Sequence, residues 1–436
     1  MSGAARSKPA LVWLGRLAWA AALVWSPSAG ADTLAQALDL AVAADQRLAA
    51  SGHQVDAANA SVMAARALAL PRVGVEGLYT RLSQQPAMVV DLRPLPRTEL
   101  PFAEQSSGAY RIGATLPLYT GGRIAYAVEA AEQGVAAAQQ DAVRTVQDVR
   151  LAAAEAYANV LRALRLLAVA QSSVQTLTLH ERDVDQLHRQ GLVAQNDVLA
   201  VRAALANATQ DAIRVDNALA LARAAYNRQL GRALDAEVVL DEVSVLDAPD
   251  ALAPATERAL AQRAELAALD HQVQALRRQA DAARAAERPQ LALSAGYNHL
   301  QDRYLARDSA WNVTLGASWS LFDGGLARHQ ASALLAKAEA AADLQRDARS
   351  QIALQVRQAW LAVGESRSRI AAAQTAVAQA DENLRVARDR YQAGVGTNTE
   401  VLDADTLRVR SQSNHYSAVY DNVVAVMRLR RSVGEL

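Results

Sequence analysis

The pentapeptide Leu118-Tyr119-Thr120-Gly121-Gly122 returns, 203 residues later, as Leu321-Phe322-Asp323-Gly324-Gly325. The same offset carries Tyr157 to Trp360, Gly191 to Gly394, Val198-Leu199 to Val401-Leu402 and Gly231 to Gly434. Landmarks that keep one offset over so long a stretch mark a tandem duplication. The constraint on the fold is severe, because both halves must adopt one architecture and the halves must fit each other. Upstream, Pro71 corresponds to Pro289 at a larger offset of 218, so the first copy carries an insertion between Tyr79 and Tyr110. The copies are assigned to residues 32–245 and 246–436.

Each copy holds segments of two periods. Trp311, Val313, Leu315, Ala317, Trp319 and Leu321 alternate with Asn312, Thr314, Gly316, Ser318 and Ser320, and Leu291, Leu293, Ala295 and Tyr297 alternate with Ser294 and Asn298. Period two over about ten residues predicts half-buried strands. The first copy repeats the pattern with Val73, Val75 and Tyr79, then with Tyr110, Ile112, Ala114, Leu116 and Leu118. Strands are therefore expected near 71–82, 108–120, 289–301 and 310–322, with a long loop from Arg81 to Ser107. Such strands have the length to cross a bilayer at a tilt. Trp311 and Trp319, eight residues apart on the apolar face, would stand ~26 Å apart along a strand and form an aromatic girdle.

After each glycine pair the period becomes seven. Val128, Val135, Ala142, Val149, Ala156, Ala163, Ala170, Leu177 and Val184 in one copy, and Val356, Val363, Ile370, Val377 and Leu384 in the other, form coiled-coil seams rich in alanine. Gly122 to Gly191 and Gly325 to Gly394 each allow a helix of roughly 100 Å. Both helices stop at a glycine, and a returning helix follows, for which Asn196 and Thr399 are the expected caps. Residues Asp235 to Pro254 are read as a short strand or belt linking the copies.

Composition removes other classes. Lys plus Arg number 45 and Asp plus Glu 45, which argues against a nucleic-acid partner. Residues 1–31 have a basic start, an apolar stretch and Ala29-Gly30-Ala31, the pattern of a secretory signal peptide. The chain has no cysteine, which excludes disulfides, thiolate metal sites and a lipid anchor on an N-terminal cysteine. There is no phosphate-binding loop, zinc-binding helix motif or nucleophile elbow, so no enzyme, cofactor or metal is expected. Seven scattered histidines, His180 and His188 among them, suggest no metal site.

Four amphipathic strands cannot close a barrel, and an open edge is not viable in lipid. Two chains would supply eight strands, a barrel filled by its own side chains, whereas three supply twelve and leave a lumen. The expected fold is mainly α with β: a trimeric tube, part β-barrel in a membrane and part α-helical in aqueous space.

The duplication, the strand ends Leu-Tyr-Thr-Gly-Gly-Arg and Leu-Phe-Asp-Gly-Gly-Leu, and the segment from Tyr391 to Asp403 resemble the TolC-like outer membrane efflux proteins. The resemblance implies a homotrimer in outer-membrane lipid, not lipid-anchored, whose 12-stranded outer-membrane β-barrel is continuous with a long periplasmic α-helical barrel and which docks to an inner-membrane pump through a periplasmic adaptor. It would pass substrates outward in a tripartite efflux or type I secretion system. The alternative is a structural coiled-coil envelope protein or adhesin without transport activity. Glu400 and Asp403, three apart at a helix start, match the family's acidic entrance ring and also suit the helix macrodipole. Tyr391 and Asp197 match an entrance latch, although the family's arginine position is Gly396. Gly191, Leu192, Val193, Gly394, Val395, Gly396 and Thr397 are the expected adaptor-contact tips, and Asp405 is expected to be a solvated charge.

Overall fold

A computed structural model describes residues 31–243 and 251–436, so the predicted signal peptide lies, but for Ala31, outside the described residues. In chain order the elements are α1 (Leu34–Ala44), α2 (Gln46–Ala67), β1 (Arg72–Arg81), β2 (Ala87–Val90), β3 (Thr98–Pro101), β4 (Ser106–Tyr119), α3 (Arg123–Arg189) and α4 (Gln195–Gln229). The second half gives α5 (Leu252–Gln262), α6 (Ala264–Arg284), a 3-10 turn, β5 (Gln290–Gln301), β6 (Ser309–Ser318), α7 (Leu326–Gln392) and α8 (Asn398–Val433). The long helices α3 and α7 have 67 residues each. No described helix is long and apolar enough to cross a membrane.

The strands form one antiparallel sheet in the order β1-β4-β5-β6. Its register gathers the alternating residues into rows. Val75, Ile112, Tyr297 and Trp311 lie side by side on one face, as do Val73, Ala114, Ala295 and Val313. The opposite face carries Glu76, Arg111 and Asn298 in one row and Thr115, Ser294 and Thr314 in another. The apolar face is bare: Trp311 is 75% exposed and Val73 73%.

Three details differ from expectation. The long loop Arg81 to Ser107 contains a small hairpin, β2 paired with β3, too short to register as alternation. In β4 the register slips between Pro117 and Tyr119, so that Tyr119 rather than Leu118 comes opposite Leu291 on the apolar face. Strand β6 ends at Ser318, and Trp319 beyond it donates its indole N–H to the Glu287 carbonyl at 2.9 Å. Trp311 therefore belongs to a belt with Tyr79, Tyr110 and Tyr297 at the loop end of the sheet, and Trp319 stands with Tyr119 and Phe322 at the helix end, all of them exposed.

Each strand is joined in sequence to one helix of a single layer. Helix α3 packs on α2 and α4 on one side and on α6 and α8 on the other, and α7 packs against α6 and α8. The glycine pairs make the strand-to-helix corner: Gly121 and Gly122 have φ of 64° and 93°, Gly324 and Gly325 of 71° and 84°. A Cβ on Gly121 would stand 2.6 Å from that of Arg288. The layer thus has two open edges, one formed by β1, α2 and α4, the other by β6 and α7.

The linking segment is held by side chains rather than by a strand. Leu240 makes one parallel bridge with Asp32, and residues 244–250 lie outside the described residues. The fully buried Tyr157 of α3 places its hydroxyl 2.8 Å from the Asp32 carbonyl and 2.7 Å from that of Asp241. Tyr157→Phe keeps the ring, removes the hydroxyl donor from the Asp241 carbonyl and leaves the Asp32 carbonyl with only the Asp241 N–H at 3.1 Å, so it is expected to cost about 1–3 kcal/mol, read as a lower unfolding midpoint of the purified protein.

Candidate functional site

The two helix hairpins end side by side at the far end of the layer from the sheet. At the first tip Gly191 adopts φ 74°, Gly191 N–H donates to His188 at 2.8 Å and Leu192 N–H to Leu187 at 2.9 Å, a pattern that closes the last helical turn. At the second, Gly394 adopts φ 75°, and the N–H groups of Val395 and Gly396 both reach the Arg390 carbonyl at 3.0 Å. A Cβ at position 396 would lie 3.0 Å from the Tyr391 nitrogen. A side chain at this position would require the tip backbone to shift. Leu192 and Val395 are exposed at the two tips, and Val193 accepts from or donates nothing through its side chain, but its carbonyl lies 3.1 Å from His188 Nδ1.

The caps fall two residues earlier than expected. Thr397, in extended conformation, accepts the Glu400 N–H at 3.3 Å, and Ala194 opens α4 with no side-chain cap. Thr399 and Asn196 consequently lie inside the first helical turns. Glu400 and Asp403 are both exposed, and Arg390 lies 3.9 Å from the Glu400 carboxylate.

Four helices meet in an apolar cluster just behind the tips, formed by Val184, Val198, Val201, Leu384, Ala387, Tyr391, Val401 and Ala404. Tyr391 and Asp197 come to the same tip without forming a hydrogen bond, and the Tyr391 hydroxyl is buried without a partner. Desolvation and the nearby charges of Asp197 and Asp183 push that hydroxyl's pKa up. The contact that ties the hairpins runs through Asn398 instead. Its Oδ1 lies 2.8 Å from Nε2 of His180, and its Nδ2 donates to the Asp197 carbonyl at 3.2 Å. Tyr391 sets its ring edge-on to His180, with centroids 5.1 Å apart. Burial lowers the His180 pKa and so favours the neutral imidazole, and with the Asn398 amide oxygen as acceptor Nε2 is the ring nitrogen that donates.

Asp405 is not a solvated charge. It is 3% exposed and accepts the Ser173 hydroxyl at 2.6 Å, because it falls beside Val401 and Ala404 on the face of α8 turned to α3. Burial pushes its carboxyl above the ordinary value, opposed by Ser173 and by the positive charges of Arg408 and Arg388. Arg408 also donates to Ser172 at 2.6 Å and to Thr176 at 3.3 Å, and it meets Asp381 of α7 at 3.2 Å. None of this network emerged from the sequence reading. The one available signal was polar residues, Ser173, Thr176 and His180, spaced three and four apart within an alanine and leucine seam.

Comparison with known proteins was informative at the level of family and fold. A family model described as "Outer membrane efflux protein" matches residues 37–232 and 255–435. Among solved structures, CusC, whose study concerns transmembrane channel formation, aligns with a TM-score of 0.78 and 17% identity over 92% of this chain and 91% of that one. The outer membrane protein VceC of Vibrio cholerae gives 0.76 and 19% over 92% and 96%. The CmeC outer membrane channel of Campylobacter jejuni gives 0.75 and 15% over 92% and 85%. No curated protein matches significantly in sequence.

The buried carboxylate yields a pH test with a definite sign. A carboxyl whose pKa is raised by folding costs stability above that pKa and ceases to do so as pH falls through it toward and below 3.8. Asp405→Asn keeps an acceptor for Ser173 and removes the charge. It is expected to raise the thermal midpoint at pH 7 relative to the parent, with the difference shrinking as pH is lowered. His180, Arg388 and Arg408 are shared by both proteins, so an unchanged difference across that range would overturn the assignment.

Proposed function

The chain belongs to the outer membrane efflux protein family, and we propose that three copies close into one tube that conducts substrates passively from a periplasmic pump and adaptor to the exterior. The observation that carries this reading is the pair of bare edges. On α4, Leu221 is 70% exposed, whereas Val424, its counterpart 203 residues on, is 9% exposed inside the layer. On α7, Leu361 is 55% exposed and its counterpart Ala158 is fully buried. The repeat places the same kind of surface once inside the chain and once at its rim, which is what a rotationally closed ring requires.

Closure also accounts for the sheet. Three copies give twelve strands, wide enough for a lumen, with the row of Glu76, Arg111 and Asn298 facing water and the row of Val75, Ile112, Tyr297 and Trp311 facing lipid. The β1 and β6 edges, left unpaired in one chain, would find each other between copies, as lipid demands of every backbone donor and acceptor. The helical part then extends into the periplasm, and its tips, Gly191 to Val193 and Gly394 to Thr397, are the surface offered to an adaptor. A fibrous adhesin would use the heptads but would leave the exposed apolar face of the sheet without a purpose.

At the tips Glu400 and Asp403, exposed and tripled by symmetry, would form acidic rings around a narrow mouth. The test begins with extraction: the protein is expected in the outer-membrane fraction, to require detergent, and to have the mass of three chains. A detergent-independent monomer would overturn the reading. In planar bilayers, Glu400→Gln combined with Asp403→Asn is expected to lower cation selectivity and weaken block by multivalent cations added from the tip side, with the conductance steps themselves preserved.

A further inference from the structure

Between α3 and α7, where α8 ends and α6 begins, the layer holds a recess of about 610 Å³. It lies on the face of these helices turned away from α1 and α5. Helix α1 covers Val149 and Ala153 of α3, and α5 covers Ile352 and Val356 of α7, whereas Arg144, Leu151, Gln358 and Ala362 line the recess. Four arginines face it, Arg144, Arg263, Arg428 and Arg431, against two carboxylates, Asp148 and Glu265. Both carboxylates are already engaged: Arg431 donates to Asp148 at 2.7 Å and to Glu265 at 2.8 Å, and Arg263 donates to Glu265 at 2.9 and 2.8 Å. Arg431 is only 9% exposed, yet its remaining nitrogen, Nη1, has no partner among the described residues.

Arg144 and Arg428 are exposed at the rim and paired only outward, with Asp141 at 3.4 Å and Glu155 at 2.8 Å, neither of which lines the recess. Exposed pairs of this kind contribute little in water, so both guanidinium groups can turn to a better acceptor. The positive excess is local. The neighbouring recess, which shares Arg428, balances three arginines with three carboxylates, and there Arg162 and Arg369 both meet Asp421, at 2.9 and 3.1 Å. Nor does the duplicated backbone plan account for it, because the counterparts of Arg144, Arg263 and Arg428 in the other half of each helix pair are Asp347, Asp45 and Ala225.

We infer that this recess binds a small, doubly charged tetrahedral oxyanion, phosphate or sulfate, between the guanidinium groups of Arg144 and Arg428 with Arg431 behind them. Two negative charges neutralise the excess of arginine over carboxylate in the lining, and guanidinium forks match oxyanion edges two oxygens at a time. The bound anion joins α3 to α8 at the point where α8 gives way to α6. The recess is complete within one chain, so the inference stands apart from the ring of copies. The test uses the full protein in detergent, dialysed to equilibrium against radiolabelled sulfate, a dianion at any working pH, with chloride holding the ionic strength constant. The parent is expected to take up sulfate saturably, one per chain, and its unfolding midpoint to rise with sulfate concentration as a single-site ligand requires. Unlabelled phosphate is expected to displace the label, and whichever anion displaces the other at lower concentration is the preferred ligand. Arg144→Gln with Arg428→Gln is expected to weaken binding at least about tenfold. Gln358→Glu leaves every arginine and its partner in place and sets a third carboxylate in the recess. It is expected to weaken binding by a similar factor, and it keeps the test decisive if the double variant does not purify with the parent's mass. Because sulfate strengthens apolar burial in any protein, the thermal readout is the difference between parent and variants. A parent that binds no sulfate above the chloride background, or variants that bind it as tightly as the parent, would overturn the site.

Discussion

Everything in this molecule follows from a layer with two unsatisfied edges. A sheet of four strands continues into a row of long helices, and both stop at the same two margins. In water the helical margin could remain bare at modest cost. The strands have no such freedom, because unpaired backbone groups in hydrocarbon cost several kcal/mol each. In the proposed ring the sheet therefore dictates closure, and the helices, joined to it through tight glycine corners at Gly121-Gly122 and Gly324-Gly325, inherit the geometry that closure sets.

Duplication makes such closure economical, and divergence makes it asymmetric. The elements of the two halves coincide nearly residue for residue: α3 and α7 begin at Arg123 and Leu326 and end at Arg189 and Gln392. The side chains do not. Asp405 is buried against α3, and its counterpart Arg202 is exposed and paired with carboxylates of its own hairpin. At the junction between stacked helices Asp45 precedes Arg47 in one half, while Arg263 precedes Glu265 in the other, a reversal of charge at equivalent places. Burial opposes ionisation of Glu265, but hydrogen bonds from Arg263 and Arg431 on either side hold its pKa at about 2. One backbone plan thus carries two sets of electrostatic instructions.

How much of this the sequence disclosed depended on the period of each interaction. Strands near Trp311 and long helices after the glycine pairs were legible because side-chain alternation and heptads repeat many times over. Hairpin β2–β3 has four residues per strand, below the length at which period two stands out from composition. The burial of Asp405 was hidden for another reason. Its local spacing from Asp403 suggested a different, solvated face, but α8 touches α7 on one side and α3 on the other, so that one face of the helix is closed by a partner distant in sequence. Asn398 was missed likewise: its contacts to His180 and to the Asp197 carbonyl span both halves of the duplication. Tyr391 and Asp197, the expected latch, come to the same tip with no hydrogen bond between them.

The polar contacts near the tips answer a problem that alanine seams create. A seam of small residues at strict heptad spacing lets helices approach closely, yet it fits almost as well when one helix slides by seven residues. Toward the tips, away from α1 and α5, the helices have no second layer to prevent such slippage. Buried or half-buried polar partners do, since displacing them leaves each without a hydrogen bond in a region that water does not reach. His180 against Asn398, Ser173 against Asp405, and Arg408 against Ser172 and Thr176 are spaced along the end of α3 where the sheet's register can no longer help. Alanine makes the wall thin, and these few polar residues determine where along its length each helix stands.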